Sequence, residues 1–594
     1  MTHLEKLAAI RNLMKQDGVA AYIIPSADPH ISEYLPSFYK SIRFVSGFTG
    51  SVSTVVITQD FAGLWADSRY FVQAEEQLQG TGFELVKLKA QGVAEYIDWL
   101  DETLPQGSKV AFDENTVSVL LGLQLEKQLA FKKISFENQD YVGQIWNDRP
   151  PLPAKPAFLL ADEVVGQSVQ SKLTAIRASL KKQRVAYHLV SSLDDMAWIF
   201  NLRGQDVGYN PVVLSFALIT EDKATIYIDK NKLTAGDLAT LANQKVSIAD
   251  YNALATDLQQ LPTNSNILID PKRNCYFMYK QVAKGVQTVL ETNPSTYLKA
   301  IKNDAEITNT RKTMIKDGAA MTKFFKWVKE NIGKVEITEL SAAEVLKNFR
   351  AEQEGFVGES FNTIAGYKAH GALPHYAATP ASDVEVKADG LFLVDSGGQY
   401  LYGTTDITRV IPMGNNTDEE STDYTLVLKA MIEGCKTRFP KGTCGYQIDA
   451  ITRRPMWDYA LNYGHGTGHG VGYYLNVHEG PHVFNASATP IAIELGTITS
   501  IEPGIYRIGK HGIRIENLVL TVKDERIKPN EFNEFYAFES LTLAPIDTTL
   551  IKKELLETSH IDWLNQYHKE VYEKVSPLLN EDEQNFLKEM TKAI

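Results

Sequence analysis

The sequence contains only three cysteines, Cys275, Cys435 and Cys444. No two of them form a CxxC pair, a disulfide framework is excluded, and the gap between Cys435 and Cys444 fits no zinc ribbon. Buried free thiols in a reducing compartment are the expectation. Long apolar runs are also missing: no stretch is long enough to span a bilayer. Met1–Gly18 sets Leu4, Leu7, Ile10 and Leu13 at helical spacing between charges, not in the unbroken apolar segment of a secretory signal. A cytoplasmic location is the expectation. Basic excess is lacking as well. The formal net charge is −13 with no compensating basic tract, which argues against a nucleic acid or a membrane surface as partner. A chain of 594 residues is too long for one core and calls for roughly three or four domains.

Two motifs that carry chemistry elsewhere fail here. Gly464-His465-Gly466-Thr467-Gly468-His469-Gly470-Val471-Gly472 has glycine at every second position, and such a backbone can cradle phosphate. Its register never gives GxGxxG, and no Lys-Ser/Thr follows for a P-loop. The glycines instead let the chain approach a crowded centre and place His469 in it. His478-Glu479-Gly480-Pro481-His482 spells HExxH, a zinc motif that works only on a helix. Proline inside a helix costs about 3 kcal/mol or more, so the string is a false positive and His478 is a loop residue.

What is present is, first, a repeat. At an offset of 166, Lys6-Leu7-Ala8-Ala9-Ile10-Arg11 falls on Lys172-Leu173-Thr174-Ala175-Ile176-Arg177, Val19-Ala20 on Val185-Ala186, and Asp28 on Asp194. Leu64-Trp65-Ala66-Asp67 and Ile226-Tyr227-Ile228-Asp229 form matching strand ends in a slightly shifted register. The first half therefore reads as two related α/β domains. The proline-rich stretch Arg149–Pro156 joins them, and a second boundary falls near Asn293-Pro294-Ser295. The domains expected are 1–157, 158–300 and 301–594, with an α/β (α+β) fold class.

Second, the last segment holds four carboxylates and an imidazole at places where backbone geometry fixes a side chain. Asp395 ends the buried run Leu391–Val394, and Asp406 lies in the alternating Gly403–Thr408. Glu502 precedes the turn pair Pro503-Gly504. In Gly512–Glu516, Arg514 and Glu516 are expected to share one strand face. Acids gathered on one sheet face repel one another unless positive charge sits between them, and two divalent cations would supply it. His375, in Leu373-Pro374-His375-Tyr376, has both a structural and a catalytic reading when taken alone.

The series Asp395, Asp406, His469, Glu502 and Glu516 resembles the ligand set of the pita-bread metallopeptidases, a group that includes methionine aminopeptidase, prolidase and aminopeptidase P. Phe44–Ser51, Trp65–Phe71, Trp198–Gly204 and Trp563–His568 resemble the three-domain Xaa-Pro aminopeptidases, so the likeness covers nearly the whole chain. It implies two creatinase-like α/β domains followed by a pita-bread catalytic domain, two divalent metal ions per subunit, and a homodimer. It also implies that Asp395 chelates one ion, that His469 and Glu502 hold the other, and that Asp406 and Glu516 contact both. His375, His478 and His465 match substrate or transition-state histidines, and Arg69 matches a residue that reaches the peptide. The oxygen-rich set with one imidazole is hard, which favours manganese. Glu502 is then the proton carrier, and Arg514 is expected to orient Glu516. The reaction implied is release of the first residue from oligopeptides with proline second. The alternatives are a prolidase confined to dipeptides, which the middle domain speaks against, and a non-catalytic peptide-binding relative, which would typically have lost ligands.

Overall fold

The computed structural model describes residues 1–89, 92–528, 531–532 and 534–594. It divides into two compact units, 1–162 with 167–296, and 163–166 with 297–594. The first unit is built twice over. One six-stranded sheet comprises Ala21–Pro25 (β1), Thr54–Thr58 (β2), Ala62–Ala66 (β3), Glu84–Lys87 (β4), Lys109–Phe112 (β5) and Ser135–Asn138 (β6), in the order β4-β3-β2-β1-β5-β6. The other comprises Tyr187–Val190 (β7), Ser215–Thr220 (β8), Ala224–Ile228 (β9), Val246–Ala249 (β10), Asn266–Ile269 (β11) and Gln287–Leu290 (β12), ordered β10-β9-β8-β7-β11-β12. The two orders are the same. In both sheets the first strand pairs antiparallel on one side and parallel on the other.

The helix before each sheet repeats as closely. His3–Asp17 (α1) and Val169–Gln183 (α2) are separated by the same 166 positions at both ends. Each starts from a hydroxyl cap, Thr2 or Ser168, whose oxygen accepts an otherwise orphaned backbone N–H. Alternation along β1 sends Tyr22 and Ile24 into one core and Ala21 and Ile23 into another, so this sheet is covered on both faces. Cys275 and Cys435 are buried free thiols, while Cys444 is only half-buried.

The second unit opens with a long helix, Asp304–Asn331 (α3), closed at its start by a capping box between Asn303 and Glu306. Glu339–Ala351 (α4) follows. Its strands are Phe356–Glu359 (β13), Ile364–Tyr367 (β14), Gly390–Ser396 (β15), Gly398–Tyr400 (β16), Gly403–Thr404 (β17) and Ile407–Gly414 (β18). After helix Asp418–Cys435 (α5) come Arg438–Pro440 (β19), helix Gly445–Trp457 (α6), Gly468–Gly470 (β20), Glu479–Phe484 (β21), Ile498–Ile501 (β22), Gly504–Arg507 (β23), His511–Arg514 (β24), Asn517–Lys523 (β25), Phe535–Ser540 (β26) and helix Thr558–Val575 (α7). They assemble as β13-β16-β17, β14-β15-β18, β23-β24 and the six-stranded β19-β26-β25-β22-β20-β21. Strand β15 reads as a continuous apolar run because both its faces are covered. Leu391 and Leu393 join the core under α5, whereas Phe392 and Val394 pack with Met321, Phe324 and Leu346 of α3 and α4. Each such fully buried side chain contributes about 1.5–3 kcal/mol.

Candidate metal centre

Three of the four acids occupy two-residue breaks where the chain leaves one sheet and enters another. Thr405-Asp406 lies between β17 and β18, Glu502-Pro503 between β22 and β23, and Ile515-Glu516 between β24 and β25. Asp395 is inside β15, paired with Ile364 and Thr408. His469 is the central residue of β20. The continuous strands expected through Asp406 and Glu516 are therefore interrupted at those residues. The interruption releases each carboxylate from the strict alternation of a ladder, so that it turns into the space where the sheets meet.

The glycine-rich segment gives His469 its place by close approach. A Cβ on Gly468 would lie 1.8 Å from the Ser500 carbonyl oxygen, so only glycine lets β20 sit against β22 there. The imidazole Nδ1 is 2.9 Å from the Gly470 carbonyl. That contact requires the proton on Nδ1 and leaves Nε2 facing the acids. Nε2 lies 3.4 Å from Asp406 Oδ2 and 3.6 Å from Glu502 Oε1.

One possible ligand atom each from Asp406, His469 and Glu516 fall within 4.8 Å of one another. The Thr408 hydroxyl donates to Glu516 Oε2 at 2.7 Å, but Glu516 Oε1 and Asp395 Oδ1 are buried with no hydrogen-bond partner among the described residues. Buried carboxylate oxygens left in that state are costly. Burial pushes the Glu502 carboxyl up to about 7 against the pull of His469 and Arg514. It raises Asp395, and with the charges of Asp406, Glu502 and Asp395 it holds Glu516 far above the usual carboxylate range. Burial pulls the His469 imidazole down, yet Asp406 and Glu502 outweigh it and hold the ring at about 9. Asp395, Glu502 and Glu516 thus resist ionisation and the imidazole resists neutrality. Hard cations among these side chains would reverse both tendencies, and the donor set fits divalent metal.

Arg514 reaches Glu516 only through Thr408, whose hydroxyl accepts from Arg514 Nε at 3.3 Å and donates to Glu516, and not directly as expected from the sequence. Its Nη2 donates to Asp395 Oδ2 at 2.6 Å and to the Pro374 carbonyl at 3.3 Å, and its Nη1 to the Tyr506 hydroxyl at 2.7 Å. The break after β24 is the reason, since Arg514 and Glu516 no longer share one strand face. Tyr506 continues the chain of contacts to His465 Nε2 at 2.8 Å, while His465 Nδ1 faces the Gly466 carbonyl at 2.7 Å. His478 lies in the bend before β21, its ring edge-on to that of His469 with centroids 4.3 Å apart. His375 follows Pro374 in a turn. Arg69 belongs to the other compact unit, where Nε and Nη2 grip the Asp67 carboxylate at 2.8 and 2.7 Å.

The HExxH string is not helical: Glu479 opens β21 and forms a buried ion-paired trio with Lys299 and Lys302. Burial pulls the His482 imidazole down to about 3, and its Nε2 lies 3.0 Å from Thr499 Oγ1. Sequence reasoning missed a support on α6. Arg453 donates to the carbonyls of Tyr463 at 2.7 Å and His465 at 2.6 Å, while Asp449 accepts from Thr467 Oγ1 at 2.6 Å. The only local signal was an acid four residues before an arginine on one helix face, and many surface helices share it.

Acids at the seams between sheets, facing one imidazole, mark a candidate divalent-metal protein, and comparison with known proteins gives its class as a metallopeptidase. The Metallopeptidase family M24 profile matches residues 308–523, and that of the C-terminal region of peptidase M24 matches 534–594. Creatinase/Prolidase N-terminal domain profiles match 6–142 and 148–306. A probable Xaa-Pro aminopeptidase P of Neurospora crassa is 38% identical over 98% of this chain and 87% of its own length. Aminopeptidase P2 of Arabidopsis thaliana is 37% identical over 97% and 86%. The crystal structure of X-prolyl aminopeptidase from Caenorhabditis elegans, a cytosolic enzyme with a di-nuclear active site, superposes with a TM-score of 0.96 at 34% identity over the whole of both chains. The chain belongs to metallopeptidase family M24, among its Xaa-Pro aminopeptidases P.

Proposed function

We propose that this peptidase removes the N-terminal residue from oligopeptides with proline in the second position. The observation that carries the reading is the likeness over the full chain, both creatinase-like domains included, to proteins named for that activity. A prolidase from Pyrococcus horikoshii shares the fold over only 64% of this chain, and every ligand position of the series is filled, so neither alternative is favoured. We place the domains at 1–157, 158–300 and 301–594.

Asp395, Asp406, His469, Glu502 and Glu516 would hold two divalent cations, with manganese favoured by the hard donor set. Such ions, when bound, would supply Lewis acidity at the scissile carbonyl and lower the pKa of water. The protein's own groups do the rest. Glu502 accepts the proton of the attacking water at its carboxylate and delivers it to the prolyl nitrogen as the C–N bond breaks. His375 and His478 donate hydrogen bonds to the substrate and to the oxygen on which charge develops. His465 and Arg69 bind the peptide. Arg514 fixes Asp395, and Thr408 fixes Glu516. The chain is further proposed to work in the cytosol, as its Caenorhabditis elegans relative does, and as a homodimer, which light scattering would test. No helix among the described residues is long and apolar enough to cross a membrane.

Protein stripped of metal and refilled with Mn2+ should cleave Xaa-Pro-Xaa tripeptides well and Xaa-Pro dipeptides poorly. Absence of turnover on either defeats the enzymatic reading, and turnover of dipeptides alone defeats the aminopeptidase reading. A narrower expectation concerns Thr408→Val, which deletes the hydroxyl on Glu516 at nearly constant volume. It should weaken Mn2+ binding about 10–100-fold, as read by titration calorimetry. Unchanged affinity would remove Thr408 from the support of the site.

A further inference from the structure

Both chain neighbours of His375 are pinned, each by a different buried charge. On one side the Pro374 carbonyl accepts from Arg514, the residue that also grips Asp395. On the other, the Tyr376 hydroxyl donates to Glu339 Oε2 at 2.7 Å. Glu339 is the first residue of α4 and is fully buried. Its carboxylate also receives the Tyr367 N–H at 2.8 Å and faces His370 Nδ1 at 2.9 and 3.0 Å. The His370 and Tyr376 rings stack with centroids 4.5 Å apart. One carboxylate thus holds the strand end before the turn, the residue at its start and the residue just after His375.

The floor of the turn is equally restrictive. A Cβ on Gly512, in β24, would lie 1.7 Å from the Gly371 carbonyl oxygen, so the turn rests directly on the backbone of the strand that leads to Arg514. A side chain buried at a helix start, with an aligned backbone dipole and several donors, is held in one rotamer. Rigid support of that kind is what an oriented catalytic imidazole requires, since a misplacement of about 1 Å costs on the order of a hundredfold in rate.

We propose that Glu339 is a positioning residue that fixes His375 against the Asp395 side of the site, an inference that rests on the role given to His375 above. The test is a double-mutant cycle on Mn2+-loaded protein with an Xaa-Pro-Xaa tripeptide. Glu339→Gln keeps the shape and one acceptor, and Tyr376→Phe removes a single donor. Each should lower kcat about tenfold or more with little change in KM, and each should change the rate less than about twofold when His375 is already alanine. The same loss factor in the His375→Ala background would overturn the proposal by showing a general structural effect. In metal-free protein, hydrogen exchange of the amides of residues 370–377 should speed up in Glu339→Gln while β20 and β22 stay protected. Unchanged exchange at that turn would also overturn it. An unmodified protein that cleaves no tripeptide would instead defeat the functional reading, while the exchange experiment would still report on the turn.

Discussion

Asp406→Asn should lower kcat/KM on an Xaa-Pro tripeptide by about three orders of magnitude and leave the protein folded. The substitution is nearly isosteric, so no cavity opens. It removes the carboxylate that faces both His469 and the Glu516 side of the cluster. Lewis-acid stabilisation is worth several kcal/mol, and each 1.36 kcal/mol is a factor of ten. The same change relieves repulsion, because the Asp406 charge is among the causes that raise Asp395, Glu502 and Glu516. It also removes a carboxylate that helps hold the His469 imidazole charged, so in chelator the melting temperature should change little, whereas in Mn2+ the parent should gain more. Calorimetry in the two buffers, with kinetics and bound-metal stoichiometry, checks all of this. A variant that keeps full activity with two ions bound would contradict the assignment of Asp406.

The largest expected effect on stability lies at Arg409, which touches no proposed substrate. Its guanidinium is buried and donates to the carbonyls of Thr408, Glu516, Ala544 and Pro545, to Asn517 Oδ1 and to the Tyr567 hydroxyl. It ties β18 to the break at Glu516 and to the segment leading into α7. Arg409→Met fills much of the volume but strands several buried acceptors, each worth about 1–3 kcal/mol when left unpaired. A total loss of about 3–5 kcal/mol is expected, with some acceptors regaining water. Urea unfolding measures it, and a shift below about 1 kcal/mol would mean that the network contributes little. Mn2+ affinity should fall in parallel, since Arg409 holds the backbone carbonyl of Glu516 itself.

Much of this architecture was legible in the sequence wherever the signal was local. The offset of 166 located α1 and α2 because a capped amphipathic helix is written in its own residues. Pro481 ruled out a helical HExxH for the same reason, and Pro503-Gly504 marked the strand end at Glu502. The breaks at Asp406 and Glu516 were not legible. Nothing in Gly403–Thr408 or Gly512–Glu516 says which sheet the next residue will join, because ladder partners far along the chain decide that. Arg514 was accordingly assigned to Glu516, two residues away, when its partner Asp395 lies 119 positions away. Thr408, Glu339 and the Asp449–Arg453 pair were invisible for the same reason. Each acts on backbone or side chains that only tertiary folding brings near.

The placement of acids at the seams has a consequence for how this unit comes together. Thr408 and Glu516 stand 108 positions apart in sequence yet share a hydrogen bond, so the centre closes a very long loop and exists only where the sheets on either side are docked. Contacts of such separation are costly in chain entropy to close, and here they also bury carboxyl groups together. The centre is thus a checkpoint on assembly, one that a chain with locally correct but undocked sheets does not pass. Such a chain would have every ligand in or beside its proper strand and no site.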